Sequence, residues 1–266
     1  MPSGLRRERA ELVSDEGRRR AKAGRRRAGQ AERPEASGTN RASGTNRAAG
    51  VLLAAGEGSR LGRPKALVEV GGQTLAERGV AMLRDGGADP VLIVTGAVPV
   101  TIASAHAVHN PDWRTGMGSS LAAGLRALGA GGTPVAGDLD CSAVVVALAD
   151  QPLVGAEAVR RLIAAWRDGA SVAVAAYDGK PRNPVLIARG HWDSVLELAT
   201  GDTGARPFLR AHPELVRLVE CGDTGSAYDV DTPEDLARVT GVSTIRSDES
   251  FLAPTGRCGS PWAAAR

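Results

Sequence analysis

Aromatic side chains are scarce in this 266-residue sequence: they make up 3% of the residues, whereas hydrophobic residues of all kinds make up 42%. A folded core must therefore consist mainly of Val, Leu, Ala and Ile, and the length suits one domain of ordinary size plus tails.

The three cysteines, Cys141, Cys221 and Cys258, are widely spaced and form no Cys-x-x-Cys or Cys/His cluster. This spacing indicates neither a disulfide framework nor a zinc site.

Long hydrophobic runs are also missing. No segment approaches the length of a membrane span, and the basic start of the chain lacks the apolar h-region of a secretory signal peptide. We therefore expect a soluble, cytoplasmic protein with no membrane partner.

The net charge of +3 is divided unevenly along the chain. Residues 1–47 contain 13 of the 33 basic and 6 of the 30 acidic residues, so the remainder carries a net charge of −4. This basic extension is poor in apolar side chains and contains Ala-Ser-Gly-Thr-Asn-Arg twice, which predicts disorder. Its arginines can contact nucleic acid non-specifically, and no specific nucleic-acid partner is expected. Residues 242–266 are predicted to form a second disordered tail, which leaves a folded domain at 48–241.

An apolar run typical of a buried parallel strand is followed directly by a glycine-rich stretch with two cations. Glycine lets backbone N–H groups come close to an anion because no Cβ intervenes, and Arg and Lys both bind phosphate oxygens. The pattern predicts a triphosphate-binding loop. The apolar run is Gly50 to Ala55, and the stretch after it contains Gly56, Gly58, Arg60, Gly62 and Lys65.

Two better-known glycine loops do not fit. A P-loop has its Lys directly after the last Gly and before Ser or Thr, whereas Lys65 follows Pro64 and precedes Ala66. A dinucleotide-binding loop opens a helix within the glycine run and has an acid at the end of the second strand. Here Pro64 interrupts a helix, and the next strand candidate, 91–95, ends without an acid. A plain strand-to-helix turn remains the alternative for the glycines alone.

Strand and helix patterns alternate along most of the remaining chain, which predicts an α/β domain with a mostly parallel sheet. In such sheets ligands bind outside the carboxyl ends of the strands. Further strands are predicted at 91–94, 105–109, 143–148, 172–176, 185–188 and 215–220. Helices are predicted at 75–84, 121–128, 156–167, 192–198, 206–211 and from Thr232 onward, with a surface loop at 129–137.

Acidic residues occupy two positions suited to a divalent cation. Asp150 directly follows a buried strand, and Mg²⁺ is usually held by one or two carboxylates together with substrate phosphates. Asp229 or Asp231 is the predicted second ligand, with only one of the two expected to bind. A simple turn acid remains the alternative for Asp150. Helix capping before Thr232 remains the alternative for the other two.

The loop Gly116–Ser120 precedes a predicted helix and offers backbone amides and hydroxyls. It suits a nucleobase edge or a phosphate, although Ser119 can equally act as a simple helix cap. Asp202 and Arg206 are weaker candidates for contacts with an acceptor molecule. Trp113 is expected to be a packing residue.

Several of these segments occur together and in a particular order: Leu53-Ala54-Ala55-Gly56-x-Gly58-x-Arg60-x-Gly62-x-x-Lys65, Gly116 to Ser120, Leu148 to Pro152, Asn183-Pro184-Val185, Gly201 to Arg206, and Asp229 to Leu236. Together they resemble the motifs of the MobA-like nucleotidyltransferase family, and within it most closely the molybdenum cofactor cytidylyltransferase branch. The similarity covers about residues 50 to 240.

The resemblance implies a Rossmann-like, GT-A-like nucleotidyltransferase fold of three layers. It also implies Mg²⁺-dependent transfer of a nucleoside monophosphate with release of pyrophosphate. By match, the catalytic residues are Arg60, Lys65 and Asp150, and the metal ligands are Asp150 and Asp231, with Asp229 as the less favoured candidate. The matching nucleotide-binding residues are Leu53, Ala54, Ala55, Gly56, Gly58, Arg60, Lys65, Gly118, Ser119 and Ser120.

The substrates are also implied by the resemblance. Ala55 is similar to the cytidylyltransferase branch, where guanylyltransferases tend to have a second glycine, so CTP is expected rather than GTP. A molybdopterin-type acceptor is implied, with Asn183, Asp202 and Arg206 on its side of the cleft and a molybdoenzyme or its chaperone as a partner. Asn183 departs from the His that many relatives have before Pro-Val. Two alternatives stay open: a transferase for another acceptor such as a sugar 1-phosphate, and a non-catalytic module that binds molybdopterin for insertion.

Overall fold

A computed structural model of the protein describes residues 46–131 and 140–246. Within these residues, the strands are β1 Ala48–Leu53, β2 Glu69–Val70, β3 Gln73–Thr74, β4 Val91–Thr95, β5 His106–His109, β6 Ala143–Leu148, β7 Val172–Tyr177, β8 Lys180–Ala188 and β9 Val216–Glu220. The α-helices are α1 Leu75–Asp85, α2 Met117–Ala127, α3 Ala156–Arg167, α4 Trp192–Leu198, α5 Arg206–Ala211 and α6 Pro233–Arg246.

Seven of the strands form one sheet in the order β5-β4-β1-β6-β8-β7-β9, and β2 and β3 form a separate small hairpin. Every neighbouring pair in the large sheet is parallel except the two that involve β8, which runs against β6 and β7. Helices cover both faces, so the fold has three layers. The predicted α/β architecture with a mostly parallel sheet is confirmed.

The side chains of β1 show why the central strands are apolar along their whole length. Leu52 packs into the cluster that includes α1 and α3, whereas Val51 and Leu53 pack into the cluster that includes α2 and α5. Successive side chains of a strand point to opposite faces, and here each face is covered by helices. All six residues of β1 are therefore buried.

Register brings the ends of the central strands to one edge of the sheet. Leu53, the last residue of β1, is paired with Val94 of β4 on one side and with Leu148 of β6 on the other. The loops that follow these parallel strands therefore emerge side by side. Because β8 runs antiparallel, with Val185 paired to Val146, it is the beginning of this strand that lies at the same edge.

Several boundaries differ from the sequence prediction for local reasons. α2 begins at Met117 rather than 121, because Gly116 takes a left-handed φ of 114° that starts the helix. β8 begins at Lys180 rather than 185, because a tight turn at 178–179 pairs this polar segment with β7. The predicted capping box at Thr74 is present, with the Glu77 side chain and backbone both bonded to it.

The last helix continues to Arg246, so the predicted domain boundary at residue 241 falls within α6. The disorder predicted for residues 1–47 and 242–266 concerns mainly residues outside the described part of the chain, as does most of the predicted loop at 129–137. None of the helices in the described residues is both long and apolar enough to cross a membrane.

Candidate active site

A pocket of about 770 Å³ opens at the carboxyl edge of the sheet, where β1 and β6 end. We call it the first pocket. It is lined by residues from the glycine-rich loop, the start of α2 and two remote acidic segments: Leu53, Ala54, Ala55, Gly56, Glu57, Gly58, Ser59, Arg60, Lys65, Trp113, Arg114, Gly116, Met117, Ser120, Leu148, Ala149, Asp150, Asp202 and Asp231.

The glycine-rich loop turns sharply at Gly58, which has a φ of 66°. A Cβ at this position would lie 2.1 Å from the backbone oxygen of Arg63, so only glycine allows the loop to close on itself. Gly56, in contrast, has open space where a Cβ would stand. The loop therefore leaves its backbone uncovered at Gly56, which lines the pocket, and returns Lys65 to the pocket wall.

Lys65 connects the loop to both acidic segments. Its Nζ donates to Asp150 Oδ2 at 2.7 Å and also to Asp231 Oδ1. Arg60 Nη2 donates to the other oxygen, Asp231 Oδ2, at 3.0 Å. Burial lowers the pKa of Lys65, but the two carboxylates outweigh it and raise the pKa overall. The same hydrogen bond from Lys65 lowers the pKa of Asp231.

The backbone holds the two acidic segments side by side although they are far apart in sequence. The N–H of Val230 donates to the carbonyl oxygen of Asp150 at 2.8 Å. Val230 is fully buried in a cluster with the β2–β3 hairpin and Val239 of α6. The segment before α6 is further fixed by Asp235, whose Oδ2 accepts from the N–H of Asp231 at 3.2 Å and of Thr232 at 2.9 Å.

Asp229 and Asp231 lie in different surroundings. Asp231 lines the first pocket, whereas Asp229 accepts a 2.9 Å hydrogen bond from Gln151 Nε2 and lines a neighbouring pocket. Burial raises the pKa of Asp229, and the bond from Gln151 acts in the opposite direction. Of the two predicted partners for Asp150, the geometry therefore favours Asp231 as the one that faces the same space.

The acids fit a hard divalent cation. Asp150 Oδ1 is buried and has no hydrogen-bond partner in the part of the chain that the structure describes, and carboxylate oxygens are the ligands that Mg²⁺ prefers. No group of three or more His, Cys, Asp and Glu side chains within residues 46–131 and 140–246 is arranged as a metal cage. Two carboxylates suit Mg²⁺ when substrate phosphates and water complete its coordination.

Only part of the predicted base-binding loop reaches the first pocket. Ser120 lines it and is 3% exposed, and its Oγ accepts from Asn110 Nδ2 at 3.0 Å. Ser119 Oγ instead donates to the carbonyl oxygen of Gly116 at 2.8 Å, and a Cβ on Gly118 would lie 2.8 Å from the backbone at Ala199. Gly118 and Ser119 therefore do not line the first pocket, and they support the start of α2 instead.

Trp113 and Arg114 are two of several lining residues that were not among the predicted site residues. The guanidinium of Arg114 lies 4.4 Å above the ring of Trp113, and both residues line the first pocket. The sequence predicted Trp113 as a packing residue. The sequence feature that could have identified Trp113 as a lining residue is its position three residues before Gly116, in the connection from β5 to the start of α2.

A second pocket, of about 760 Å³, adjoins the first, and Leu148 lines both. It contains two of the three predicted acceptor residues, Asn183 and Arg206. The third, Asp202, lines the first pocket instead, and its Oδ1 accepts from the N–H of Met117 at 3.3 Å. The lining of the second pocket is Leu148, Gln151, Val174, Pro181, Arg182, Asn183, Val185, Arg206, Leu209, Arg210, Pro213, Val216, Leu218 and Asp229.

Comparison with known proteins identifies the class of protein to which this chain belongs. The profile of the MobA-like NTP transferase domain matches residues 50–216, and the chain belongs to this nucleotidyltransferase family. The resemblance to the MobA-like family inferred from the motifs is thereby confirmed. The segment that carries Asp229 and Asp231 lies beyond the matched residues.

The relatives carry different names. The chain is 39% identical over 203 residues to the nicotine blue oxidoreductase of Paenarthrobacter nicotinovorans, covering 69% of this chain and 92% of that protein. A probable molybdenum cofactor guanylyltransferase of Opitutus terrae is 52% identical over only 42 residues, which is 16% of this chain and 21% of that protein. Among solved structures, the Mycobacterium sp. strain JC1 homologue of Mycobacterium tuberculosis Rv0371c is similar, with a TM-score of 0.64 and 31% identity, covering 76% of this chain and 99% of that one.

Proposed function

We propose that this protein transfers CMP from CTP to a phosphorylated, molybdopterin-type acceptor in a Mg²⁺-dependent reaction that releases pyrophosphate. The observation that carries the proposal is the convergence of Lys65, Arg60, Asp150 and Asp231 on one pocket beside the glycine-rich loop. Ion pairs that only stabilised the fold would not need a pocket of this size beside them. Cations suited to phosphate, acids suited to a divalent ion and a cavity of about 770 Å³ together fit a bound nucleotide.

The first pocket is the proposed site of the nucleotide. The residues from Leu53 to Gly58 that line the pocket would face the triphosphate, and Arg60 and Lys65 would offer it positive charge. Ser120, together with the Trp113 and Arg114 pair that also lines the pocket, is the proposed contact for the base or ribose. The remaining predicted residues, Gly118 and Ser119, act by holding the start of α2 in position.

In the proposed reaction, a terminal phosphate oxygen of the acceptor attacks the α-phosphorus of CTP. A bond forms between that oxygen and the α-phosphorus, and the bond from the α-phosphorus to the bridging oxygen breaks, so that pyrophosphate leaves with the electron pair. The attacking phosphate is already ionised at neutral pH, and no side chain needs to remove a proton. Catalysis then depends on positioning and on neutralising charge.

The chain's own residues divide these tasks. Asp150 and Asp231 would hold Mg²⁺, and the ion would supply charge neutralisation at the transferring phosphate when bound. Lys65 and Arg60 stabilise the negative charge that develops on the departing pyrophosphate. The hydrogen bond from Val230 to Asp150 keeps the two acids at a fixed separation.

The second pocket is the proposed acceptor site. Arg182, Arg206 and Arg210 give its rim a positive charge, and Val174, Leu209 and Leu218 contribute an apolar wall. This combination favours an acceptor with an anionic group on a largely apolar or heterocyclic body over a sugar 1-phosphate, whose hydroxyls need more polar partners. A molybdoenzyme or its chaperone as the recipient of the product, and a cytoplasmic location, remain part of the proposal.

The test is pyrophosphate release by the purified full-length protein with Mg²⁺ and molybdopterin or molybdenum cofactor, with CTP, GTP, UTP and ATP supplied separately. We expect release with CTP that depends on the acceptor. A preference for GTP would agree with the name of the Opitutus terrae relative and correct the nucleotide assignment. Release with sugar 1-phosphates alone would replace the acceptor, and binding without release would support a non-catalytic insertion module.

A second candidate follows from the relative named nicotine blue oxidoreductase, which is 39% identical over 203 residues. Under this candidate the second pocket would bind an aromatic dye-like substrate, and a reduced nicotinamide would have to supply the electrons. The test is oxidation of NADH or NADPH in the presence of nicotine blue, with no nucleoside triphosphate. Activity there, together with no pyrophosphate release in the first assay, would establish this candidate instead.

A further inference from the structure

Protein cations already occupy most of the carboxylate oxygens in the first pocket. Lys65 bonds Asp150 Oδ2 and Asp231 Oδ1, and Arg60 bonds Asp231 Oδ2. Asp150 Oδ1 alone among the four oxygens has no hydrogen-bond partner within the described residues, and it is buried. A divalent ion that bridged the two acids would need the position between them that the Lys65 ammonium now holds.

We propose that Lys65 is a resident stand-in for the divalent cation. In the nucleotide-free protein its ammonium holds Asp150 and Asp231 together and keeps a divalent ion out. A bound triphosphate gives Lys65 a new partner, so nucleotide and metal enter as mutually dependent ligands. This inference rests on the proposed nucleotide site and concerns its regulation.

The local geometry supports an exchange of partners rather than simultaneous binding. The side chains of Lys65 and Asp150 are each 21% exposed, so charges between them are only partly screened by water. An ammonium and a divalent ion on the same carboxylates would repel each other strongly there. Lys65 can leave without unfolding its surroundings, because it has a flexible four-carbon stem and belongs to the loop that faces the triphosphate.

Arg60 is a poorer stand-in. Its side chain is 68% exposed and, among the described residues, forms its ion pair with Asp231 alone, so water competes with the pair and the guanidinium can move aside at little cost. Lys65 is therefore the residue that sets the affinity of the empty site for metal. By thermodynamic reciprocity, any factor by which nucleotide raises the affinity for metal is also the factor by which metal raises the affinity for nucleotide.

The test is direct Mn²⁺ binding to the nucleotide-free, full-length protein. Binding is measured as the loss of the free Mn²⁺ signal in electron paramagnetic resonance. The variant is Lys65→Met, which keeps the length of the side chain and removes its charge. Lys180→Met is the matched control, because Lys180 is exposed at the start of β8 and lines neither pocket. We expect Lys65→Met to bind Mn²⁺ about tenfold more tightly than the wild type, and Lys180→Met to match the wild type.

A double variant and a folding check complete the experiment. Adding Asp150→Asn to Lys65→Met should abolish the gain, since the acids would no longer form the site. Thermal unfolding checks that each variant is folded, and Lys65→Gln replaces Lys65→Met if the latter is not. Equal or weaker Mn²⁺ binding in the folded Lys65 variant would overturn the inference. The Mn²⁺-binding measurement uses no acceptor, CTP or turnover. It can therefore be interpreted even if the proposed transferase activity is not found.

Discussion

The two adjoining pockets differ in how their residues are distributed along the chain. The first pocket gathers charged side chains from short, dense segments, of which the glycine-rich loop and the Asp150 turn are the clearest. The second pocket draws scattered residues from β7, β8, α5 and β9, with arginines at its rim and aliphatic side chains in its wall. Phosphate and metal chemistry restricts residue types and spacing tightly, whereas binding an acceptor body can be achieved in many ways.

The largest effect should come from breaking the charge arrangement of the first pocket. We expect Lys65→Met and Asp150→Asn each to lower the rate of pyrophosphate release by about a thousandfold, because each removes a charge that acts on the transferring phosphates. Thermal unfolding should show that both variants remain folded. Lys180→Met is the control for loss of a lysine elsewhere. Near-normal rates in either variant would remove the first pocket from the mechanism.

A second test separates the pockets through a pair of neighbouring acids. Asp231→Asn should lower kcat by about a hundredfold, since Asp231 faces Lys65 in the first pocket. Asp229→Asn should act mainly on the KM of the acceptor, because Asp229 lines the second pocket and is held by Gln151. Steady-state kinetics with CTP and acceptor varied in turn would resolve the two. The reverse pattern would mean that the metal-facing acid has been misassigned.

A third test addresses the second pocket alone. Arg206→Met should raise the KM of an anionic acceptor about fivefold and leave the KM of CTP unchanged, because an exposed rim charge contributes about 1 kcal/mol to binding an anion. Arg217→Met is the matched control, since Arg217 pairs with Asp168 and lines neither pocket. Equal effects of the two substitutions would show that only overall charge matters, and that the second pocket is not the acceptor site.

The smallest effect concerns the segment that positions Asp231. Hydrogen bonds from Tyr228 and Thr232 lower the pKa of Asp235 to about 2, compared with about 3.9 in an unfolded chain. The stabilising contribution of Asp235 is therefore complete above about pH 4 and is lost as the pH falls from there through about 2. Urea unfolding at several pH values should show the wild type more stable than Asp235→Asn at pH 6, with the difference shrinking below pH 4. A constant difference would contradict the assignment.

The sequence was sufficient for the centre of the sheet because β1, β4, β6 and β7 have an apolar pattern that only burial on both faces explains. It could not show that β8 runs backwards, since a period of two residues has no direction. The residues before Val185 gave no strand signal for a different reason: Lys180 to Pro184 are polar or proline, and they form a strand because the turn at 178–179 places them beside β7.

The candidate site was predictable where chemistry fixes the residue type, and less so where the backbone decides. The motifs predicted Arg60, Lys65 and Asp150, which the structure brings together. The choice between Asp229 and Asp231 depends on an irregular segment tied to Asp150 by the N–H of Val230, a contact between residues far apart in sequence. No local pattern carries that information.

The most direct test of the central claim follows the α-phosphorus of the nucleotide. CTP labelled at the α-phosphorus is incubated with Mg²⁺, the protein and molybdopterin, and the products are separated. If the two pockets hold donor and acceptor of one transfer, the label appears joined to the acceptor as pyrophosphate is released in equal amount. A label that remains in CTP, while the protein oxidises NADH or NADPH with nicotine blue, would contradict the account.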